Sequence, residues 1–303
     1  MNILIIGGLG FIGTNLALRL INRGYNVTVL DNFSKCNVEN YEELKGKCNI
    51  IIGSIYSEMT LNKYLDGIDV VYDLASPQML DCEKDQLECY KTNILGYQYL
   101  LDNISDYSVK KIIFSSTSSV YRGSGNMFNE KSQAYAANKY TLSKIIAEQM
   151  LINKSDDSGI DYCIFRNAPV YGPRQFKGGN GSGITIKIIK SLYTNNLLEL
   201  YSGGKSKKEF LYIDDLIYYY EQAIFKGHGT YNLSTNKSVE IKKVFELLRN
   251  ITKRKGNIIY SERGERYDRS FDNCKLFEVF GRIEFTSLED GLINTLKWYE
   301  GDV

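Results

Sequence analysis

Two pairs of side chains in this sequence stand at the spacing that lets an amine tune a phenol: Tyr135 with Lys139, and Tyr140 with Lys144. Four residues apart, both members of a pair lie on one face of a helix. A free tyrosine, with a pKa near 10, is mostly protonated at neutral pH, and a neighbouring cation lowers a pKa by about 1 to 3 units. Either pair could therefore yield a phenol able to act as a base. The two tyrosines are five positions apart, which at 3.6 residues per turn rotates one about 140° from the other. Only one pair can face a common site. Upstream, Lys111-Ile112-Ile113-Phe114 reads as a strand running into Ser115-Ser116-Thr117-Ser118-Ser119-Val120-Tyr121, so that hydroxyls gather at a strand's carboxyl end.

A second constellation holds phosphate. After the apolar run Ile3–Ile6 comes Gly7-Gly8-Leu9-Gly10-Phe11-Ile12-Gly13, then a helical pattern from Thr14 to Arg23. Gly7 permits a tight turn, Gly10 lets backbone N–H groups approach a pyrophosphate at the helix N-terminus, and Gly13 lets helix and strand pack closely. Asp31, beside Asn32, ends the next apolar run, 31 − 13 = 18 residues beyond the last glycine. A carboxylate there accepts hydrogen bonds from ribose hydroxyls and repels a 2′-phosphate, which favours NAD over NADP.

These groups need a scaffold that puts strand ends side by side. Asn26–Leu30, Ile50–Ile52, Val70–Leu74, Lys111–Ser115 and Cys163–Arg166 also read as strands, alternating with helical patterns. That order implies βαβ units: an α/β protein with a doubly wound parallel sheet and helices on both faces. The glycine-rich run 177–183, just after Pro169 and Pro173, suggests a boundary. The expected division is 1–172 for dinucleotide binding and 173–303 for a smaller α/β part closing over the strand ends, with part of 211–237 returning to the first unit and a last helix near Ser287–Tyr299.

Composition narrows the classes. Lys+Arg 37 against Asp+Glu 36 leaves a net charge of +1, so nothing global draws the chain to nucleic acid or an anionic membrane. No cationic leader or bilayer-length apolar run is seen, and a cytoplasmic protein is expected. The six cysteines (Cys36, Cys48, Cys82, Cys89, Cys163, Cys274) include no C-x-x-C pair, and the single His228 stands between glycines. Reduced thiols, a loop histidine and no metal site are expected.

The ordered series Gly7–Gly13, Leu74-Ala75-Ser76, Thr92-Asn93-Ile94-Leu95-Gly96, Phe114–Tyr121, Tyr-x-x-x-Lys, Val170-Tyr171-Gly172-Pro173, Phe210–Asp215 and Thr286–Gly291 resembles the extended short-chain dehydrogenase/reductase family of NAD-dependent nucleotide-sugar epimerases and dehydratases, built on the Rossmann fold. The resemblance selects Tyr140 and Lys144, because Glu148 follows Lys144 by one turn and Arg166 ends the next strand, whereas Lys139 would put Ser143 in the Glu place. It implies Thr117 as the catalytic hydroxyl. For the cofactor it implies contacts from Gly7, Gly10, Phe11, Ile12, Gly13, Asp31, Asn32, Ser54, Ile55, Leu74, Ala75, Ser76, Asn93, Ser115, Tyr140, Lys144 and Ala168. For the substrate it implies Thr117, Ser118, Ser119, Asn167, Arg174, Lys208, Arg263 and Arg266.

The implied reaction is epimerisation of a nucleotide sugar, at C4 through a transient 4-keto form. Ser118 and Ser119 stand where dehydratases of the family carry acids, which disfavours dehydration and decarboxylation alike. Ranked behind epimerisation are a 4-ketoreductase using NAD(P)H and, further back, a 4,6-dehydratase or a non-catalytic dinucleotide sensor. The chain departs from the family pattern at Ser54 (usually Asp), Asp73 (commonly His), Pro169 (often Asn, with Asn167 displaced) and Lys208 (commonly Arg). The resemblance also implies a homodimer, with Leu142, Ile146, Tyr97 and Leu101 supplying its apolar face.

Overall fold

The structure is a computed structural model that describes residues 1–57, 63–123, 125, 127–175, 183–264 and 268–301. Its centre is a parallel sheet of seven strands: β1 (Asn2–Ile6), β2 (Asn26–Asp31), β3 (Asn49–Ile52), β4 (Val70–Asp73), β5 (Lys111–Thr117), β6 (Asp161–Asn167) and β7 (Gly229–Leu233), in the spatial order β7-β6-β5-β4-β1-β2-β3. In register, Ile3 lies beside both Val27 and Val70, and Asp73 lies beside Phe114. The order reverses between β1 and β4, and a crevice opens at the carboxyl ends of strands at such a point.

The strands read as continuous apolar runs because both faces are buried. Along β1, Ile3 and Ile5 enter one core while Leu4 and Ile6 enter the other. Ile113 points to the first core, and Ile112 and Phe114 to the second. The helices that position the site are α1 (Phe11–Asn22), α2 (Val38–Leu44) and α3 (Lys139–Ser158). The last starts on a reciprocal cap: Asn138 Oδ1 accepts from Thr141 N at 2.9 Å and Thr141 Oγ1 accepts from Asn138 N at 3.0 Å. Gly159 ends it at φ 73°, the left-handed conformation glycine adopts without strain.

Beyond β6 lie α4 (Ile184–Thr194), α5 (Ile213–Gln222), α6 (Ile241–Thr252) and α7 (Leu288–Glu300), with the paired segments Leu197–Leu200 and Asn257–Tyr260, and Lys207–Glu209 and Ser238–Glu240. Part of this half joins the main sheet. Strand β7 pairs with β6, and α5 packs on α1, where Arg19 and Arg23 each reach Glu221 at 2.8 Å. The glycine-rich run expected to mark the boundary lies, up to residue 182, outside the described residues. No helix among the described residues is long and apolar enough to cross a membrane, and no group of three or more His, Cys, Asp or Glu among them could hold a metal ion.

Two expectations are corrected here. Cys82 and Cys89 are not free thiols but form a disulfide: short helices at Met79–Lys84 and Gln86–Tyr90 meet at Asp85 and bring the two Cα atoms within 5.0 Å. Cys36, Cys48, Cys163 and Cys274 are free. Tyr97 and Leu101 do not face outward. Both are buried in the second core, where Tyr97 stacks on Phe114; of the expected face Leu142 is exposed, and Leu95 is exposed beside it. His228 does lie in a loop, and its Nδ1 sits 2.7 Å from Asp161 Oδ1.

Candidate active site

Gly7 turns the chain at φ 76°, and a Cβ there would stand 2.8 Å from the backbone nitrogen of Ala75; a Cβ on Gly13 would stand 2.4 Å from Gly7 O. Both positions exclude any side chain. Gly10 caps α1 without a side-chain hydrogen bond, so the first-turn N–H groups keep no side-chain acceptor. Asp31 closes the same turn: Oδ2 accepts from Leu9 N at 3.0 Å and Oδ1 from Phe33 N at 2.8 Å. Burial raises its pKa, against the pull of those backbone donors.

A cavity of about 190 Å³ runs along this loop, walled by Gly7, Gly10, Asp31, Asn32, Ser54, Ile55, Leu74, Ala75 and Ser76. The segment carrying the disulfide supplies the opposite side through Asp81, Asp85 and Glu88. Lys35 bridges the two sides, 3.1 Å from Asp81. A close-packed glycine turn, an uncapped helix start and a carboxylate at the end of β2 in one cavity suit the diphosphate and ribose of a dinucleotide. Phe11 and Ile12 are partly buried in the first turn of α1 and do not line this cavity. Asn93 is buried and donates to Ser143 Oγ at 2.9 Å, and its neighbour Thr92 lines the wall. Ala168 is buried at the end of β6, where its N–H donates to Leu233 O at 2.9 Å.

Tyr140 and Lys144 project from the first turns of α3 toward the end of β5. Tyr140 is half-buried, and the Thr117 hydroxyl lies close enough to its phenol to lower the phenol's pKa. Lys144 is buried, donates to Ser115 O at 3.0 Å and lies 4.6 Å from the Phe114 ring centroid. Tyr135 precedes the helix, 45% exposed under the Arg122 guanidinium. The expected acidification of the phenol is absent from the protein alone. Burial pushes Tyr140 up to about 12 against its Thr117 bond, and pulls Lys144 down to about 8 against the attraction of Asp73 and Glu148.

A second cavity, of about 420 Å³, opens beside Ser118 and Ser119 and is roofed by the C-terminal half. Met79 lines it while Ser76 and Pro77 line the first, so one short segment walls both. Lys208 lines this cavity together with Arg269, a residue the sequence did not single out. Burial lowers the Lys208 amine, and repulsion from Arg269 and Lys187 lowers it further. Cations gathered against their own repulsion form a place an anion would stabilise.

Two of the other expected phosphate ligands, Arg174 and Arg263, do not line this cavity. Arg174 is spent on Glu43 (Nε to Oε2, 2.7 Å) and Asn15 (NH1 to Oδ1, 2.9 Å), because Asn37 and Asn40 hold its backbone carbonyl against α2. Arg263 is exposed, Arg266 lies outside the described residues, and Gly264 between them lines the cavity. Asn167 is buried, with its amide donating to Ser115 Oγ (3.1 Å), Ser116 O (3.2 Å) and Tyr220 Oη (2.8 Å), which fixes it beneath the strand ends rather than in the cleft.

Against known proteins, a model of the NAD dependent epimerase/dehydratase family matches residues 3–234. The chain is 29% identical to a UDP-N-acetyl-alpha-D-glucosaminuronate decarboxylase of Bacillus cytotoxicus, covering 98% of this chain and 97% of that one. It is 26% identical to a putative UDP-glucose 4-epimerase of Methanocaldococcus jannaschii, covering 99% of each. The solved UDP-glucose 4-epimerase of Thermotoga maritima, determined with UDP-glucose, superposes with a TM-score of 0.93 at 29% identity, over 100% of this chain and 99% of that one.

Proposed function

The chain belongs to the NAD dependent epimerase/dehydratase family, and from that premise we propose that it interconverts nucleotide sugars epimeric at C4. The observation that carries this reading is the Tyr140, Thr117 and Lys144 constellation at the end of β5, followed by Ser118 and Ser119 rather than by acids. Elimination or decarboxylation asks for more acid and base groups than two serines supply, whereas moving one hydroxyl proton asks only for the phenol.

The first cavity fits the cofactor: Gly7, Gly10 and Gly13 would admit the diphosphate, Asp31 the ribose, and Ser54, Ile55 and Leu74–Ser76 the remaining walls. When bound, NAD supplies a reversible hydride acceptor with a positive ring, so that the sugar carbon can pass through a transient 4-keto form. Tyr140, once ionised, takes the C4 hydroxyl proton and later gives it back. The Lys144 ammonium offsets the phenolate charge, and the Thr117 hydroxyl bonds the sugar oxygen while the proton moves. Lys208 and Arg269 would hold the substrate diphosphate. A charge-assisted hydrogen bond contributes about 1.5–3 kcal/mol, so Arg269→Ala is expected to raise KM by about tenfold to a hundredfold with kcat little changed. Arg174→Ala, remote from that cavity, should leave KM alone, and equal effects of the two in steady-state assays would refute the assignment.

The relatives named above carry UDP-sugars in their names, so UDP-sugars head a panel with GDP-, CDP- and dTDP-sugars. The expected result is release of about one NAD per chain on denaturation and formation of one epimer without net cofactor change. A cofactor-free preparation that consumes NADH on addition of a 4-keto sugar nucleotide would make the chain a ketoreductase, and carbon dioxide from a uronic acid would make it a decarboxylase. A second copy is proposed to sit on the face exposing Leu95 and Leu142; sedimentation of the same preparation at the mass of one chain would remove it.

A further inference from the structure

Beneath the catalytic helix, buried charges outnumber the roles assigned so far. Asp73 ends β4 with 3% of its surface exposed, Lys144 is 2% exposed, and Glu148 follows one turn along α3 at 3%. A buried ammonium needs an anion nearby or it loses its proton. Two carboxylates are candidates, and they differ in what else they hold. Glu148 is committed: Arg166 reaches Oε2 through NH2 at 2.6 Å and both oxygens through Nε at 3.1 Å, and Ser116 Oγ donates to Oε1. Its charge is already matched by a guanidinium.

Asp73 has no such cation. Among the described residues no Lys, Arg or His reaches it within ion-pairing distance; its one hydrogen bond there, at 3.1 Å, comes from the backbone N–H of Ala75. Its position is fixed by the sheet. Asp73 is in register with Phe114 on the neighbouring strand, whose ring lies under the Lys144 amine, and the next carbonyl along, Ser115 O, accepts from that amine. Adjacent strands run about 4.8 Å apart, so the carboxylate and the ammonium occupy neighbouring strand ends. A further polar group near them is the Tyr97 hydroxyl from the helix Tyr97–Asn103, buried without a partner among the described residues and pushed far up by burial and by Asp73 and Glu148, hence neutral.

We propose that Asp73 is the buried counter-charge of Lys144, a positioning residue that keeps the amine protonated and seated on the Ser115 carbonyl while the reaction runs. This rests on the reading of Tyr140 and Lys144 as the catalytic pair. The aspartate stands where the resembled family commonly has His, so this chain places a carboxyl group at a strand end where that pattern has a ring that can only be neutral or cationic. Consistent with the geometry, burial raises Asp73 to about 6 against the pull of Lys144, and Asp73 stands first among the groups that hold the lysine up.

The test is Asp73→Asn, which keeps an acceptor for Ala75 N–H and removes only the charge. An anion favours a charged amine, so without it Lys144 should lose its proton at lower pH. In protein carrying ¹³Cε-lysine, with the Lys144 resonance identified by its loss in Lys144→Met, the Lys144 midpoint is expected to fall by about one unit or more. The alkaline limb of the kcat–pH profile should move down with it while KM for the nucleotide sugar stays put. An unmoved Lys144 midpoint overturns the role of Asp73 outright, and that measurement needs no substrate. A shifted midpoint with an unshifted alkaline limb would overturn the catalytic reading of Lys144 instead. If Asp73→Asn does not fold, the coupling is mutual and Lys144→Met supplies the converse: the Asp73 carboxyl midpoint, followed by ¹³Cγ, should rise, and an unchanged value refutes the pairing.

Discussion

Replacing Tyr140 by Phe is expected to lower kcat by about 10²- to 10⁴-fold, the usual contribution of a positioned proton donor and acceptor, while the content of bound NAD and the KM for the nucleotide sugar change by no more than a few fold. The loss falls on kcat because the phenol oxygen is the group asked to carry the proton, whereas the ring and the helix around it survive the change. The reciprocal cap of Asn138 and Thr141 and the buried Lys144 hold the first turns of α3 without help from the Tyr140 hydroxyl. The protein alone holds that hydroxyl near 12, so wild-type activity should rise with pH until the loss of the Lys144 proton cuts it off. Tyr135→Phe is the matched control, since Tyr135 stands outside α3 and exposed; it should behave as wild type. Undiminished turnover in Tyr140→Phe would end the proposed mechanism.

The parts of this molecule that were legible in the sequence are those in which residue type answers a local demand. Gly7 and Gly13 could be assigned because their neighbours leave no room for a Cβ, and nothing but glycine meets that condition. The strands of the sheet were legible because burial on both faces removes polar residues from three or four consecutive positions, as in Ile112–Phe114 and Ile3–Ile6. The choice of Tyr140 over Tyr135 needed landmarks from outside the pair; the spacing of four that put each pair on one helix face holds for Tyr140 and Lys144 alone, since the helix starts at Lys139, after Tyr135.

What was not legible depends on partners far away in the chain. Arg174 reads as a phosphate ligand until Glu43, 131 residues earlier, is seen to hold it. Arg269 carries no signal of its own, yet it enters the cleft because the chain around it pairs: Lys207 with Asp268, and Phe271 with Phe128. The resemblance put Tyr97 and Leu101 on an outer face, whereas both are buried, and the turn before their helix, Lys91–Gly96, is a π-helix. One extra residue per turn rotates everything that follows. The Cys82–Cys89 bond turns on two short helices meeting at Asp85, a geometry that spacing alone does not announce.

The largest effect on stability is expected from Arg166→Met. Arg166 and Glu148 are both buried, joined at 2.6 Å between NH2 and Oε2, and Arg166 also donates to Tyr121 Oη at 2.9 Å. Removing one partner of such a pair leaves the other charged and unmatched, which costs about 3–5 kcal/mol. The penalty has a sign in pH. Glu148, stripped of its guanidinium in an enclosed site, would have a folded-state pKa above its unfolded value. The folded variant then binds more protons than the unfolded chain, so its stability falls as pH rises between those two values. The deficit against wild type should therefore be smallest in mild acid and largest above neutrality, as read from urea midpoints across that range. Removing the second charge as well, in Arg166→Met with Glu148→Leu, should recover most of the loss, because two apolar groups of similar volume replace a buried pair at little cost. A double variant no more stable than Arg166→Met would mean that the ion pair is not the source of the effect. Because Glu148 lies one turn from Lys144 on the same helix, the single variant should also lose activity in the pH range where it loses stability, and the double variant should regain both together.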